Sequence, residues 1–367
     1  MNDASTAIAD AAGPNRRARQ QDAPWTPQTV LVTPAALGFA HGAAMVERAA
    51  RAGARIVRLP ADRLAGLPDT YRDAKTTLAV VVASPSRRKP QPIPPSADWR
   101  FDLAEGCPAH CQYCYLAGSL SGPPIVRAYA NLEEILAELA PLEGQGTITS
   151  RSEARRAEGT TFECSCYTDP LAIEPITGSL SAVIRHFGAW QAAVQLRFTT
   201  KFGNVGPLLD LPHQGRTRIR FSLNARAAER YEGGAPRMDT RLAALRAVAQ
   251  AGYPVGITVA PILPLPDWQG EYDRLLANVA EALDGVAAVD LTAELITHRF
   301  TDKSKTVLTG WYPGSALPMD EAERTLKLTK FGSGKWVLPK NEMAGMREFM
   351  TRALATRLPD ARLLYWT

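Results

Sequence analysis

Three cysteines in one short loop, Cys107, Cys111 and Cys114, constrain this chain more than any other feature. They stand at Cys-x3-Cys-x2-Cys spacing within Gly106-Cys-Pro-Ala-His-Cys-Gln-Tyr-Cys-Tyr115, directly after a strand-like run at Trp99–Ala104. Three thiolates so close together suit three corners of a four-iron cube, because thiolate is the preferred ligand of iron–sulfur clusters. A fourth cysteine would close the cube for electron transfer. Three leave one iron an open position, as catalytic metal sites keep one. Such an iron can chelate the amino and carboxylate groups of S-adenosylmethionine (SAM), whose one-electron cleavage releases a 5′-deoxyadenosyl radical. Two plainer readings stand beside this one. Zinc would want four ligands in paired Cys-x2-Cys form, and only His110 lies nearby as a fourth; alternatively, the three are free structural thiols.

The chain holds only two further cysteines, Cys164 and Cys166. An odd total of 5, packed into two windows, argues against a disulfide framework and for metal or thiol chemistry.

From Trp99 onward, strand and helix patterns alternate, which favours parallel β/α units. Strands are expected at Trp99–Ala104, Thr160–Glu163, Val194–Thr199, Ile219–Asn224, Val255–Ala260 and Val289–Leu295. Helices are expected at Leu132–Leu139, Ser179–Phe187, Thr240–Gln250 and Glu271–Leu283, with Gly252 as a C-terminal cap. Six such units make a partial barrel, with active-site groups at the C-terminal ends of its strands. Upstream, Thr29–Val32, Ala54–Val57 and Thr77–Val82 read as strands and Ala40–Ala52 as a helix. The proline-rich run Pro85–Pro95 reads as an extended basic linker without regular structure, since proline offers no amide donor. Downstream, Asp320–Leu328 and Asn341–Leu358 read as helices, Phe331–Gly334 as a break and Arg362–Trp366 as a short strand. The expected organisation is a disordered tail over 1–25, an α/β extension with the basic linker over 26–96, the partial barrel over 97–296, and a substrate-binding segment over 297–367.

The net charge is +5, and the acidic and basic residues of the first 25 positions cancel, so the excess lies in the folded part. A basic body is compatible with a polyanion partner without requiring one. No apolar run is long enough to cross a bilayer, and no signal segment opens the chain, so the cytoplasm is the expected address; a monomer is also expected.

The second thiol window, Thr160-Thr-Phe-Glu-Cys-Ser-Cys-Tyr-Thr-Asp169, ends the next strand of the barrel and so faces the same pocket as the cysteine loop. On a continuing strand Cys164 and Cys166 would point to one face. They are either buried small hydrophobes or a thiol that gives a hydrogen atom to a substrate radical. Here the sequence resembles the spore photoproduct lyase family of radical SAM DNA-repair enzymes. The likeness runs from about Thr29 to Thr367 and rests on Glu105–Leu116, with Tyr113 before the third cysteine, on Arg127–Leu132 and on Phe162–Asp169. It rests also on Phe198–Lys201, Arg220–Asn224, Ile296–Thr301 and Lys330–Trp336. The resemblance implies an α/β fold, a (β/α)6 TIM-type radical SAM barrel with an N-terminal α/β extension and a C-terminal α+β segment. It implies a [4Fe-4S] cluster on Cys107, Cys111 and Cys114, and SAM held by Thr168, Lys201 and Ser222. It assigns the hydrogen donor to Cys166 and the radical relay to Tyr113 and Tyr115, and it calls for a reductant such as flavodoxin or ferredoxin. The reaction implied is hydrogen abstraction from C6 of a cross-linked thymine pair, fragmentation of the methylene bridge, and hydrogen return from the cysteine. The chain departs from the family in an extra thiol at Cys164, in Thr168 where serine is usual, and in Lys330-Phe331 where the family carries an Arg-Tyr pair. Cys164 could be a second donor, a redox partner or neither.

DNA carrying a thymine dimer needs cations for its phosphates and a place for an extruded lesion. The candidates are Arg87, Arg88 and Lys89 on the proline run; Arg299, Lys303, Lys305, Trp311 and Tyr312; and Lys330, Phe331, Lys335 and Trp336. The 299–312 stretch could form a hairpin inserted into the duplex, with an aromatic stacked on a base. A radical SAM enzyme acting on RNA or a metabolite, and a non-enzymatic iron–sulfur nucleic-acid-binding protein, are the competing readings.

Overall fold

The computed structural model describes residues 24–119, 122–146, 148, 152–328 and 334–367. Most of the expected tail, to residue 23, lies outside the described residues, as do Lys330 and Phe331. In chain order the first strands are β1 (Thr29–Val32), β2 (Arg55–Arg58), β3 (Thr77–Val81), β4 (Gln91–Ile93), β5 (Ala97–Phe101), β6 (Ala104–Glu105), β7 (His110–Cys111) and β8 (Val126–Tyr129). They continue with β9 (Thr160–Cys164), β10 (Val194–Thr200), β11 (Thr217–Leu223), β12 (Glu232–Gly233), β13 (Val255–Ile262), β14 (Leu291–Thr297), β15 (Thr325–Leu328), β16 (Gly334–Val337) and β17 (Arg362–Trp366).

The larger sheet has 8 strands in the order β17-β14-β13-β11-β10-β9-β5-β4. Neighbours run parallel throughout except at the edge, where β4 lies antiparallel to β5. From β5 to β17 the strands follow sequence order, the signature of a partial β/α barrel rather than a doubly wound sheet. All six expected barrel strands are present with ends shifted by a few residues, and β17 joins them beside β14.

The barrel's interior is ionic. Along β11, Ile219, Phe221 and Leu223 pack into the apolar core. By the two-residue period of a strand, Arg218, Arg220 and Ser222 face the other way, yet they are as fully enclosed. Arg220 is 1% exposed and donates from Nη1 to both oxygens of Glu294, at 2.7 and 2.8 Å, and from Nη2 to Glu163. Thr258 and Tyr365 donate to the same Glu294 at 3.2 and 3.1 Å. Burial alone would raise the Glu294 pKa, but Arg220 and Arg197 override it and hold the carboxyl below its usual value. Gly256 on the neighbouring strand leaves room for this: a Cβ there would meet Arg220 Cγ and Thr292 Oγ1, each at 2.8 Å.

A second sheet, in the order β2-β1-β3-β8-β6, stands at the barrel's side. The helix Ala40–Arg51 ties it there: Arg48 donates to the carbonyls of Ile176 (2.8 Å) and Thr177 (2.5 Å) at the end of the helix Pro170–Thr177. No helix among the described residues is long and apolar enough to cross a membrane.

Three local expectations are corrected. The proline run is not irregular: Pro85–Arg88 forms a helical turn and β4 pairs with β5 at the sheet edge, where a missing amide is tolerated. The 299–312 stretch is not a hairpin but carries the helix Asp302–Trp311, started by a capping box between Thr301 and Ser304. Asp320–Leu328 is not one helix: after a short 3-10 turn at Glu321–Glu323 it closes in β15, which pairs antiparallel with β16.

Removing one partner from the interior network strands a buried guanidinium. Glu294→Ala is expected to destabilise the chain by about 3–5 kcal/mol, read as a lowered urea midpoint at unchanged slope; a loss below about 1 kcal/mol would contradict the ionic-core account.

Candidate active site

The cysteine loop leaves the sheet through Gly106, whose φ is +81° and whose added Cβ would lie 2.1 Å from the Ile125 carbonyl oxygen. Only glycine fits that turn. Lys75, from the N-terminal sheet, then pins the loop by donating from Nζ to the carbonyls of Cys107 and Ala109, both at 2.7 Å. On the other side β7 pairs with β12, so that Cys111 faces Glu232 and His110 faces Gly233. Cys107, Cys111 and Cys114 are unpaired, partly buried thiols. Burial pushes the Cys107 and Cys111 thiols up to about 12, with the neighbouring thiols adding to the effect. Thiols so placed give up their protons to a bound cation. Among the described residues no three His, Cys, Asp or Glu side chains close into a cage for one metal ion.

Beside the loop lies a polar cradle built at the strand ends. Asp169 caps the helix Pro170–Thr177 and also accepts from Thr200 Oγ1 and the Lys201 amide, both at 2.8 Å. This fixes Lys201 at the end of β10. Its Nζ donates to Ser222 Oγ at 2.7 Å and to Glu232 Oε1 at 3.0 Å, and lies 5.4 Å from the centre of the Tyr113 ring. Burial lowers the Lys201 ammonium to about 8, against the opposing pull of Cys111. Tyr113 is 8% exposed and its hydroxyl donates to the same Glu232 oxygen, while Arg241 pairs with Oε2 at 2.5 Å. Thr168, also 8% exposed, keeps a buried hydroxyl with no hydrogen-bond partner among the described residues. The residues fit the cofactor pair their pattern implies: three soft donors, and next to them an ammonium, hydroxyls and a vacant hydrogen-bonding position for an amino-acid ligand.

Lys201, Ser222 and Tyr113 are thus brought together and Thr168 stands in the same loop region, whereas Tyr115 is 60% exposed. Two residues escaped the sequence reading. Glu232 joins Tyr113, Lys201, Arg241 and the cysteine loop, but sits in a two-residue strand with no periodic signal. Lys75 lies far upstream in an unremarkable Asp-Ala-Lys run.

The two window thiols do not share a face. β9 ends at Cys164, and Ser165 turns the chain at φ +59°. Cys164 is 1% exposed and donates only to Ser165 Oγ, at 3.4 Å; burial pushes its pKa up. Cys166 is partly exposed, and burial together with Glu163 and Asp102 raises its thiol well above the usual value.

The DNA candidates scatter. Arg88 is bound to Glu134 at 2.5 Å, Arg87 to Glu105, and Lys305 to Glu321 at 2.8 Å. Trp311 and Tyr312 turn inward onto Tyr71, with ring centres 5.0 and 5.6 Å away, and Tyr71 in turn packs against His110 of the cysteine loop. Arg299 donates to Thr367 Oγ1. Lys303 is exposed. Lys335 lies directly across the hairpin from Lys327, and Trp336 donates to Asp302 at 2.6 Å.

The family model for spore photoproduct lyase matches residues 25–367. A spore photoproduct lyase from a Geobacillus species is 38% identical over 353 residues, covering 94% of this chain and 99% of its own. The one from Bacillus subtilis is 35% identical over 351 residues, with coverage of 94% and 99%. A solved structure of a spore photoproduct lyase mutant with bound AdoMet and dinucleoside spore photoproduct superposes with a TM-score of 0.85 at 36% identity. It covers 94% of this chain and 100% of its own.

Thiol accessibility tests the split at Ser165. Prolonged iodoacetamide treatment of the native chain at alkaline pH, which offsets the raised Cys166 pKa, should label Cys166 before Cys164, with Cys164 labelled fully only once urea is added, as read by peptide mass spectrometry. Equal labelling of both in the native state would contradict the buried position of Cys164.

Proposed function

The chain belongs to the spore photoproduct lyase family, and from that membership we propose that it is a radical SAM lyase reversing the spore photoproduct, a thymine-dimer lesion of DNA. One observation carries the reading. A three-thiol loop, a lysine–hydroxyl–carboxylate cradle and the separate Cys166 thiol lie at the C-terminal ends of neighbouring parallel strands. When bound, a [4Fe-4S] cluster on Cys107, Cys111 and Cys114 together with SAM supplies a 5′-deoxyadenosyl radical that takes a hydrogen atom from the lesion.

The chain's own residues do the rest. Lys201, held by Ser222 and Glu232, presents an ammonium to the carboxylate of SAM, and the unpartnered Thr168 hydroxyl completes the contact. Cys166 is the hydrogen donor. A thiolate has no hydrogen atom to give, and the burial and carboxylates around Cys166 keep its S–H intact at neutral pH. Tyr113, bonded to Glu232, and Tyr115 form the relay that returns the radical. Lys335, with Lys327 across the hairpin and Arg299 close enough to depress its pKa after burial, contributes cations for the DNA strand. A small one-electron donor such as flavodoxin or ferredoxin feeds the cluster, and the enzyme works as a cytoplasmic monomer.

Anaerobically reconstituted protein with dithionite and SAM should convert phosphate-linked spore photoproduct to the two thymines and leave cyclobutane dimers untouched. SAM cleavage that is indifferent to the lesion would sink the reading. Lys201→Ala should raise the SAM KM by roughly 10-fold or more, as expected for a lost charged hydrogen bond. With Cys166→Ala, lesion cleavage should persist while abortive products replace clean repair; clean repair by that variant removes Cys166 from the mechanism.

A further inference from the structure

A cleft of about 310 Å³ opens beside the cysteine loop, within the size range of small-ligand sites. Its walls come from the proline run, the end of β5, β8 and Tyr167, which directly follows Cys166. The corrected structure of the proline run matters here, because pairing of β4 with β5 anchors Lys89 at the mouth instead of leaving it on a free linker.

The charges lining the cleft are unbalanced. Arg87, Lys89, Arg100 and Arg127 face two acids, Asp102 and Glu105. Both acids are taken: Arg87 binds Glu105, and Arg100 binds Asp102 at 3.1 Å while lying 4.6 Å from the centre of the Tyr167 ring. Lys89 and Arg127 therefore remain without a carboxylate among the described residues, although they line the same concavity. Glu105 stands directly across from Arg127 in the β6–β8 register but is engaged by Arg87, so the cleft's four cations outnumber its two acids and an anion entering it would balance the excess. The cleft borders the chemistry: Tyr167, which lines it and carries the Arg100 guanidinium over its ring, directly follows Cys166 in the chain.

We infer that this cleft seats a phosphodiester of the lesion-bearing DNA strand, gripped by Lys89 and Arg127, so that the damaged pair is registered against Cys166. The inference rests on the lyase reading and extends it by placing the backbone contact on the proline-run side of the barrel, away from the C-terminal hairpin. Phosphate contacts position a strand without reading its sequence, as an enzyme that must find one lesion in any context requires.

The test uses the reconstituted full chain with three substrates: dinucleoside spore photoproduct, which lacks the bridging phosphate, the phosphate-linked dinucleotide, and a lesion-bearing oligonucleotide. Lys89→Ala and Arg127→Gln should each raise KM for the two phosphate-bearing substrates by roughly 5–10-fold and cost far less on the dinucleoside. Binding of a lesion-free oligonucleotide, followed by fluorescence anisotropy without turnover, should lose about 1 unit of salt slope per variant. Equal losses on all three substrates, or an unchanged salt slope in both variants, would overturn the phosphate assignment. So would competition by millimolar inorganic phosphate as effective as that by oligonucleotide, which marks a free-anion site. If wild-type protein processes none of the three substrates while both variants still lower the slope, the lyase reading fails and the phosphate contact stands.

Discussion

A guanidinium enclosed among parallel strands has to be neutralised on the spot, and Arg220 is where this fold meets that requirement. Its partners Glu163 and Glu294 come from β9 and β14, and Tyr365 of the last strand closes on Glu294 from the far side. A single buried charge thus links four strands of the sheet across the barrel's interior. Burying such a network confers less net stability than an apolar filling of the same volume. It supplies specificity: only one register of β9, β11, β14 and β17 lets every charge meet its partner. The same face of β11 carries Arg218 below and Ser222 above, so the register that satisfies Arg220 also delivers Ser222 to Lys201.

The active-site loop is held from three directions at once. Lys75 arrives from the N-terminal sheet, Glu232 from the short strand after β11, and the C-terminal segment packs Trp311 and Tyr312 onto Tyr71 next to His110. On the proposed reading the loop carries three ligands rather than four, so its other anchors matter more. Second-layer contacts of this kind keep the three thiols in place without a fourth. The N-terminal sheet, expected from the sequence as an extension preceding the barrel, is therefore part of the site's support.

Much of this was legible beforehand, for identifiable reasons. The cysteine spacing and the six parallel strands announce themselves through local order, within one strand and its following loop, whereas Cys166, Lys201 and Ser222 were singled out by the family resemblance. The polar faces were harder. Arg218, Arg220 and Ser222 alternating with Ile219, Phe221 and Leu223 look like a strand with one wet face, but that face is turned into the barrel and paired with strands far away in the chain. Glu232 and Lys75 gave no signal because their roles come from tertiary pairing alone. The proline run misled because proline's lack of a donor forbids a central strand but not an edge. Cys164 and Cys166 misled because one residue in the left-handed region, Ser165, undoes the two-residue period.

The central claim is that three thiols on this loop hold a four-iron cluster with one iron open to SAM. Iron and sulfide analysis of the anaerobically reconstituted chain, combined with electron paramagnetic resonance of its reduced state with and without SAM, tests it most directly. The account predicts about four irons and four sulfides per chain and a reduced-state signal whose shape changes when SAM is added. Stoichiometric zinc, absent sulfide, or a signal indifferent to SAM would contradict it.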